Sequence, residues 1–273
     1  MKKFAGIILF FCFVVSGAFA HFQLIYTPSS ALEEGTSVDF KIVFTHPAEA
    51  GYTMDIGKNE AGEIKGIKDF YSIHKGEKTD LLKDVKKTQF TGMKNTASAY
   101  DFTLNKENGF KGAGDWVLML VPHPYYEEVE DCYICQITKV IINKGEQDTD
   151  WSERCAEGYP EIMPLVKPYD VWVGGIFRGV VVGSDGKPVA NAEIEVEYIN
   201  YNIDMKKNKF TGKAKTNKAA QVILADENGQ FSFVPTKEGY WGFAALGVGN
   251  ETEFSGKELS QDAVLWIEAS KVK

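Results

Sequence analysis

The sequence predicts an all-β protein built of two β-sandwich domains. Apolar and polar residues alternate over short runs, and Gly, Asp and Asn turns separate those runs. No stretch keeps a 3.6-residue apolar period over three turns, so no amphipathic helix is expected.

Taken in order, the chain opens with Lys2 and Lys3, an apolar run from Phe4 to Val15, and Ser16-Gly17-Ala18-Phe19-Ala20. This is the pattern of a secretory leader, residues 1–20, cleaved after Ala20. The apolar run falls short of the ~20 residues a spanning helix needs. Export to the periplasm is expected, with His21 as the first residue of the mature protein. Alternating segments follow at Phe22-Gln23-Leu24-Ile25-Tyr26, from Val38 to Phe44, and from Trp116 to Val121. The second half repeats the pattern. Ser184-Asp185-Gly186-Lys187-Pro188 reads as a turn between two strands, and Asp226-Glu227-Asn228-Gly229 as a turn ahead of Gln230-Phe231-Ser232-Phe233-Val234. The Pro-marked run from Pro160 to Pro168 sets the boundary between an N-terminal domain at 21–165 and a C-terminal domain at 166–273.

Composition narrows the function. The chain carries a net charge of −8, and loss of a leader containing Lys2 and Lys3 deepens it to about −10, which argues against nucleic acid as a partner. No apolar run after residue 20 is long enough to span a membrane. Nucleotide loops, GxSxG elbows and HExxH patterns are missing from the sequence. The acidic residues lie among lysines in apparent turns and read as solvated surface. Nothing here points to an enzyme.

Three cysteines follow the leader, Cys132, Cys135 and Cys155. In an oxidising compartment they predict a bridge from Cys155 to Cys132 or Cys135. A redox CxxC opens a helix, whereas the residues from Tyr133 to Ile142 are β-branched and strand-like.

The histidines number four. His46 shares the parity of Val38, Phe40, Ile42 and Phe44 and so sits at the rim of a core-facing side. His123 follows Met119 and Val121 in parity and stands between Pro122 and Pro124. Each precedes a proline, which biases its backbone to extended geometry. His74, in Ser72-Ile73-His74-Lys75-Gly76, reads as a surface loop residue. His21 is different in kind: as an N-terminal residue it offers its free α-amine and ring Nδ1 together as a chelating pair. With His46 and His123 it makes a nitrogen-rich set that suits nickel, cobalt, copper or zinc.

Across almost the whole mature chain the residues resemble an exported bacterial family catalogued as a domain of unknown function and associated with nickel transport, the NikM-like family. The stretches that carry the resemblance are HFQLIYTPSS, FTHPAEAG, VPHPYYEEVEDCYICQITKVIIN, PEIMPLVKPYDVWVGGIFRGVVVGSDGKPVANAEIEVEYIN, DENGQFSFVPTKEGYWGFAALG and DAVLWIEA. The resemblance implies an immunoglobulin-like N-terminal domain, then a carboxypeptidase-regulatory-like or transthyretin-like domain, and a leader cut just before a histidine. His21 and His46 match the family's histidines. At His123 family members often carry another residue, and Gln136 stands where relatives carry histidine. The chain ends in Ser270-Lys271-Val272-Lys273 without the membrane anchor that permease-linked members carry.

The expectation is therefore a periplasmic binding protein that captures a divalent transition metal, nickel or cobalt first, and presents it to an uptake permease or another envelope protein. The competing expectation is a cell-envelope structural or interaction module with incidental histidines. A third is a copper enzyme with an N-terminal histidine brace, which the family resemblance does not support.

Overall fold

The computed structural model describes residues 21–272, and every named element among them is a strand or a 3-10 turn. The leader expected at 1–20 lies outside the described residues. Among these residues no helix is long and apolar enough to cross a membrane.

The strands form three sheets. A seven-stranded sheet runs in the order Phe22–Tyr26, Ser37–Thr45, Thr96–Asn105, Lys86–Thr91, Lys209–Thr211 and Asn202–Asp204, with Thr53–Met54 paired to Ser37–Thr45 at the side. A twelve-stranded sheet has Lys257–Ser270 and Cys132–Lys144 at its centre, paired in parallel from Tyr133↔Leu259 to Val140↔Trp266. A three-stranded sheet holds Glu161–Pro164, Phe177–Val182 and Gln230–Phe233.

Period-two alternation turns these sheets into sandwiches. Phe22, Phe40 and Phe102 of the seven-stranded sheet meet Leu118, Val140, Ile142 and Trp266 of the twelve-stranded sheet in one core. Phe177, Val181, Phe231 and Phe233 of the three-stranded sheet meet Ile194, Val196, Trp241 and Phe243 in a second. Strand Lys257–Ser270 serves both, because Val264 and Trp266 face the first core while Ala263, Leu265 and Ile267 face the second. Each Val, Leu, Ile or Phe side chain fully buried in this way contributes roughly 1.5–3 kcal/mol. The expected all-β sandwich architecture is what the chain adopts. Sheets cross residue 165: Glu161–Pro164 pairs with Phe177–Val182, and Asn202–Asp204 joins the seven-stranded sheet.

Both expected turns form. Gly183 N donates to Lys187 O at 2.9 Å, and Asp226 Oδ1 accepts from Asn228 N and Gln230 N at 2.8 Å each.

The expected disulfide does not. Cys132, Cys135 and Cys155 are all free thiols. Alternation along Cys132–Lys144 explains part of this. Cys132 shares a face with Ile134 and Gln136, which line a cleft, whereas Cys135 points the other way into a core with Tyr133 and Ile137. Cys155 lies in that same core, but its Sγ donates to Glu153 O at 3.4 Å while Cys135 Sγ donates to Pro122 O at 3.5 Å. The Cys155 backbone N–H donates to Glu161 Oε2 at 2.9 Å, and that carboxylate also lies 2.5 Å from the buried Lys139 Nζ. Burial pushes the Cys135 and Cys155 thiols up to about 12, so neither is a ready nucleophile.

Candidate metal centre

Strands Phe22–Tyr26 and Ser37–Thr45 run antiparallel with Phe22 opposite Thr45 and Gln23 opposite Phe44. Continuing that register one step places His21 opposite His46, and the side chains do meet there: the ring centroids are 4.6 Å apart at 59°. Phe44 at 5.6 Å and Tyr125 at 5.8 Å complete an aromatic wall around His21.

A carboxylate fixes the first histidine. His21 Nε2 lies 2.9 Å from Glu127 Oε2, with both side chains largely buried. Hydrogen bonding to His21 holds the Glu127 carboxyl below its usual range, against burial, which raises it. With Nε2 so engaged, Nδ1 is the ring nitrogen left on the side of the residue's own main-chain nitrogen. This is how a carboxylate orients a metal-ligating imidazole.

His46 is held differently. Burial first, then the neighbouring His21, lowers its pKa from 6.5 to about 4. No side-chain hydrogen bond from its ring is made to any described residue. At neutral pH His46 is therefore a neutral imidazole with an uncommitted lone pair, the form that binds transition metals.

Gln136 holds the main chain in place. Its Oε1 accepts from Gln23 N at 2.7 Å, and its Nε2 donates to His21 O at 2.7 Å and to Asp262 Oδ2 at 3.2 Å. Asp262 is oriented in turn by Ser260 Oγ at 2.5 Å and Gly247 N at 2.9 Å. The parallel register that pairs Gln136 with Asp262 makes this relay possible.

The two histidines open onto a cleft of about 770 Å³ between the sheets. The face of strand Cys132–Lys144 that packs Val140 and Ile142 in the core carries Cys132, Ile134 and Gln136 along this cleft. Six acidic side chains line it, those of Asp55, Glu127, Glu128, Glu130, Glu195 and Asp262, together with the ammonium of Lys58, and burial raises the Asp262 carboxyl above its usual range. Burial and the neighbouring Asp262 push Glu195 up to about 7.

The remaining histidines stand apart. His123 follows the end of strand Gly114–Pro122 and lines a small adjoining cavity with Gln136 and Tyr125, and it makes no ring contact with His21 or His46. Burial lowers its pKa, and Lys68 and Lys65 add to that. A Cβ at Gly57, where φ is +65°, would come within 2.9 Å of the His123 Cβ, so glycine there lets the two segments pack. His74, expected on a surface loop, instead ends strand Ile67–His74, stacks on Trp116 at 3.9 Å and 6°, and has Nδ1 2.8 Å from Asp115 O.

Sequence reasoning brought His21 and His46 together but missed Glu127, which it read as solvated acid. A signal was present. Glu127 shares parity with Tyr125 on a short strand, Tyr125–Glu127, that pairs with Cys132–Lys144 and sets Glu127 opposite Cys132. Gln136, read only as a lost ligand, is the residue that clamps the segment bearing His21.

Among the described residues no group of three or more His, Cys, Asp or Glu side chains is placed to hold a metal ion. His21 and His46 supply two nitrogens, so a third donor has to come from elsewhere.

An all-β sandwich with a paired-histidine, acid-lined cleft between its sheets is the class of protein that fold and site define. Within that class, the profile of the family described as Domain of unknown function (DUF4198) matches residues 18–249, and the chain belongs to that family. No curated protein matches it. Among solved structures it is similar to the D0-D1 domain of intimin, with a TM-score of 0.19, 10% identity, and coverage of 90% of this chain and 97% of that one. It is also similar to red sea bream transglutaminase, at 0.21, 9%, 92% and 31%. A third is E. coli alpha-2-macroglobulin, at 0.21, 10%, 90% and 16%. The chain thus spans under a third of those last two proteins, and superpositions this loose do not bear on function.

Proposed function

We propose that this protein captures a divalent transition metal, nickel or cobalt before copper or zinc, in the periplasm and passes it to an uptake permease or another envelope protein. It binds and releases; no reaction is assigned to it. The observation that carries the reading is the cross-strand pair His21–His46, with His21 Nε2 anchored on Glu127. Cleavage after Ala20 would turn His21 into a bidentate donor through its amine and Nδ1. His46 would add a third nitrogen. The acidic cleft attracts cations to this wall, and its signs agree with a metal cargo better than with an anion.

The α-amine must lose its proton to bind, and its reference pKa of ~7.7–8.0 lies near neutrality, so affinity falls as pH drops from 8 to 6. Calorimetry with nickel, cobalt, copper and zinc tests the reading on three forms: protein beginning at His21, a Met-extended form, and His46→Ala. The His21 form binds tightest. Equal affinity in all three removes the N-terminal site. Binding no better than ~0.1 mM by any form, about −5.5 kcal/mol, would instead favour a structural envelope module.

A further inference from the structure

One margin of the molecule carries charge of the opposite sign to the whole. The chain has a net charge of −8, yet between Asp204 and Asp226 it holds six lysines and no acid. That segment includes strand Lys209–Thr211 and packs along the hairpin formed by Lys86–Thr91 and Thr96–Asn105. Thr91 N donates to Asn208 O at 2.8 Å, and Asn208 Nδ2 donates to Thr88 Oγ1 at 2.9 Å. Folding therefore adds Lys87 and Lys94 of the hairpin to Lys206 and Lys207 of the segment.

These four charges are free to act outward. Lys87, Lys206 and Lys207 line an open concavity of about 600 Å³ whose other side chains are hydroxyls and amides, with no acid among them. Lys94 lines a second concavity with Met93 and Asn217, where Glu49 is the one acid. Among the described residues Lys87, Lys94 and Lys206 make no ion pair, and Lys207 reaches only Asp204, at 4.0 Å. Lys215 is left out of the set because its Nζ turns back over the Tyr198 ring, 5.4 Å from the centroid.

The hairpin tip adds apolar surface. Met93 is 49% exposed and Tyr52 is 52% exposed. They are tied together, since Met93 N donates to Ala50 O and Lys94 N to Gly51 O, and Lys94 Nζ lies 4.9 Å from the Tyr52 ring centroid. Both arginines of the chain, Arg154 and Arg178, lie elsewhere. Arginine is the side chain that forks onto the carboxylates of a protein partner, whereas lysines on flexible stems, beside an exposed tyrosine and methionine, suit the diffuse charge of a lipid surface.

We propose that this hairpin margin docks on an anionic phospholipid bilayer. Lys87, Lys94, Lys206 and Lys207 lie among the phosphate headgroups, and Met93 and Tyr52 enter the layer where headgroups meet acyl chains. The acidic remainder of the protein is repelled by the same surface, so the molecule meets it in one orientation. Thr96 lines both the lysine concavity and the cleft that holds His21 and His46, and Tyr52 also lines that cleft. Docking thus brings the mouth of the cleft to the bilayer. The inference does not depend on what the cleft binds.

Flotation of protein beginning at His21 tests it, with vesicles of phosphatidylglycerol in phosphatidylethanolamine, with vesicles of phosphatidylcholine alone, and with a polyglutamate resin in place of vesicles. Phosphatidylglycerol vesicles should carry the protein at about 0.1 M salt and release it at about 1 M, where the screening length falls from ~10 Å to ~3 Å. Phosphatidylcholine vesicles should leave it behind. Changing Lys87, Lys94, Lys206 and Lys207 together to Gln should cut the partition at least about a hundredfold, since each lysine at an anionic surface is worth roughly fivefold. The same change at the exposed Lys75, Lys111, Lys187 and Lys271 should alter it less than about threefold, because charges away from the surface are screened. No flotation with phosphatidylglycerol, equal flotation with phosphatidylcholine, or equal losses in the two fourfold variants overturns the inference. Retention on polyglutamate without flotation overturns it too and assigns the margin to an acidic protein. None of these outcomes touches the metal reading, which calorimetry decides separately.

Discussion

His21 and His46 are cross-strand neighbours one step beyond the last paired residues of their ladder, Phe22 and Thr45, and their rings lie 4.6 Å apart. Residues at that position are held by the strands behind them, and both line the cleft. Glu127 closes the arrangement from a third strand at 2.9 Å.

Glu127→Ala should lower nickel affinity ten- to a hundredfold, the usual effect of losing a carboxylate behind a ligating histidine. Glu127→Gln should fall between that variant and the parent, because its amide oxygen still accepts from Nε2. Competition titration against a coloured chelator measures both. Unchanged affinity in Glu127→Ala would mean that Nε2, not Nδ1, faces the metal.

Gln136→Ala strips the partners from His21 O and Gln23 N, and leaving such buried groups unpaired costs about 1–3 kcal/mol. Amide exchange at Gln23 should accelerate by at least tenfold, and metal affinity should fall with it. A Gln23 amide as protected as in the parent would show that the Gln136 side chain does not hold the segment.

His46 makes the metal-free protein acid-sensitive. Its folded pKa of about 4 lies below the 6.5 of an ordinary histidine, so the unfolded chain takes up the proton first. The stability this contributes is complete above ~6.5 and is lost as pH falls toward 4. Allowing for solvent screening of a partly open side chain, the loss is about 2 kcal/mol between pH 7 and 4.5. Urea unfolding of His46→Gln should show a drop smaller by that amount. Equal drops in parent and variant would remove His46 as the cause.

Lys139→Met should destabilise by about 3–5 kcal/mol, because it strands a buried Glu161 carboxylate. The double variant Lys139→Met with Glu161→Met should cost far less than the sum of the single changes. Urea unfolding of the three variants gives the coupling, and additive losses would argue that the ion pair is incidental to the packing of Cys155 and Ala156 on Glu161.

The sequence by itself determined the class of fold and one half of the site. Alternation at Val38, Phe40, Ile42 and Phe44 put His46 on the rim of a core-facing side, because side chains along a strand repeat every second residue. The turns at Asp185 and Asp226 were legible for a similar local reason, since their side chains satisfy their own neighbouring backbone. His21 stood out from its place after a leader-like segment.

Only the tertiary structure decided what surrounds those two residues. Glu127 reaches His21 across more than a hundred positions in sequence, and Gln136 reaches Asp262 through a parallel pairing of strands from opposite halves of the chain. Strand order and register between distant segments are set by which faces bury together, and no local pattern encodes that. The same limit explains the cysteines. Short separation suggested a bridge, but alternation turned Cys132 away from the core that holds Cys135 and Cys155, and those two thiols turn to different backbone carbonyls, Pro122 O and Glu153 O.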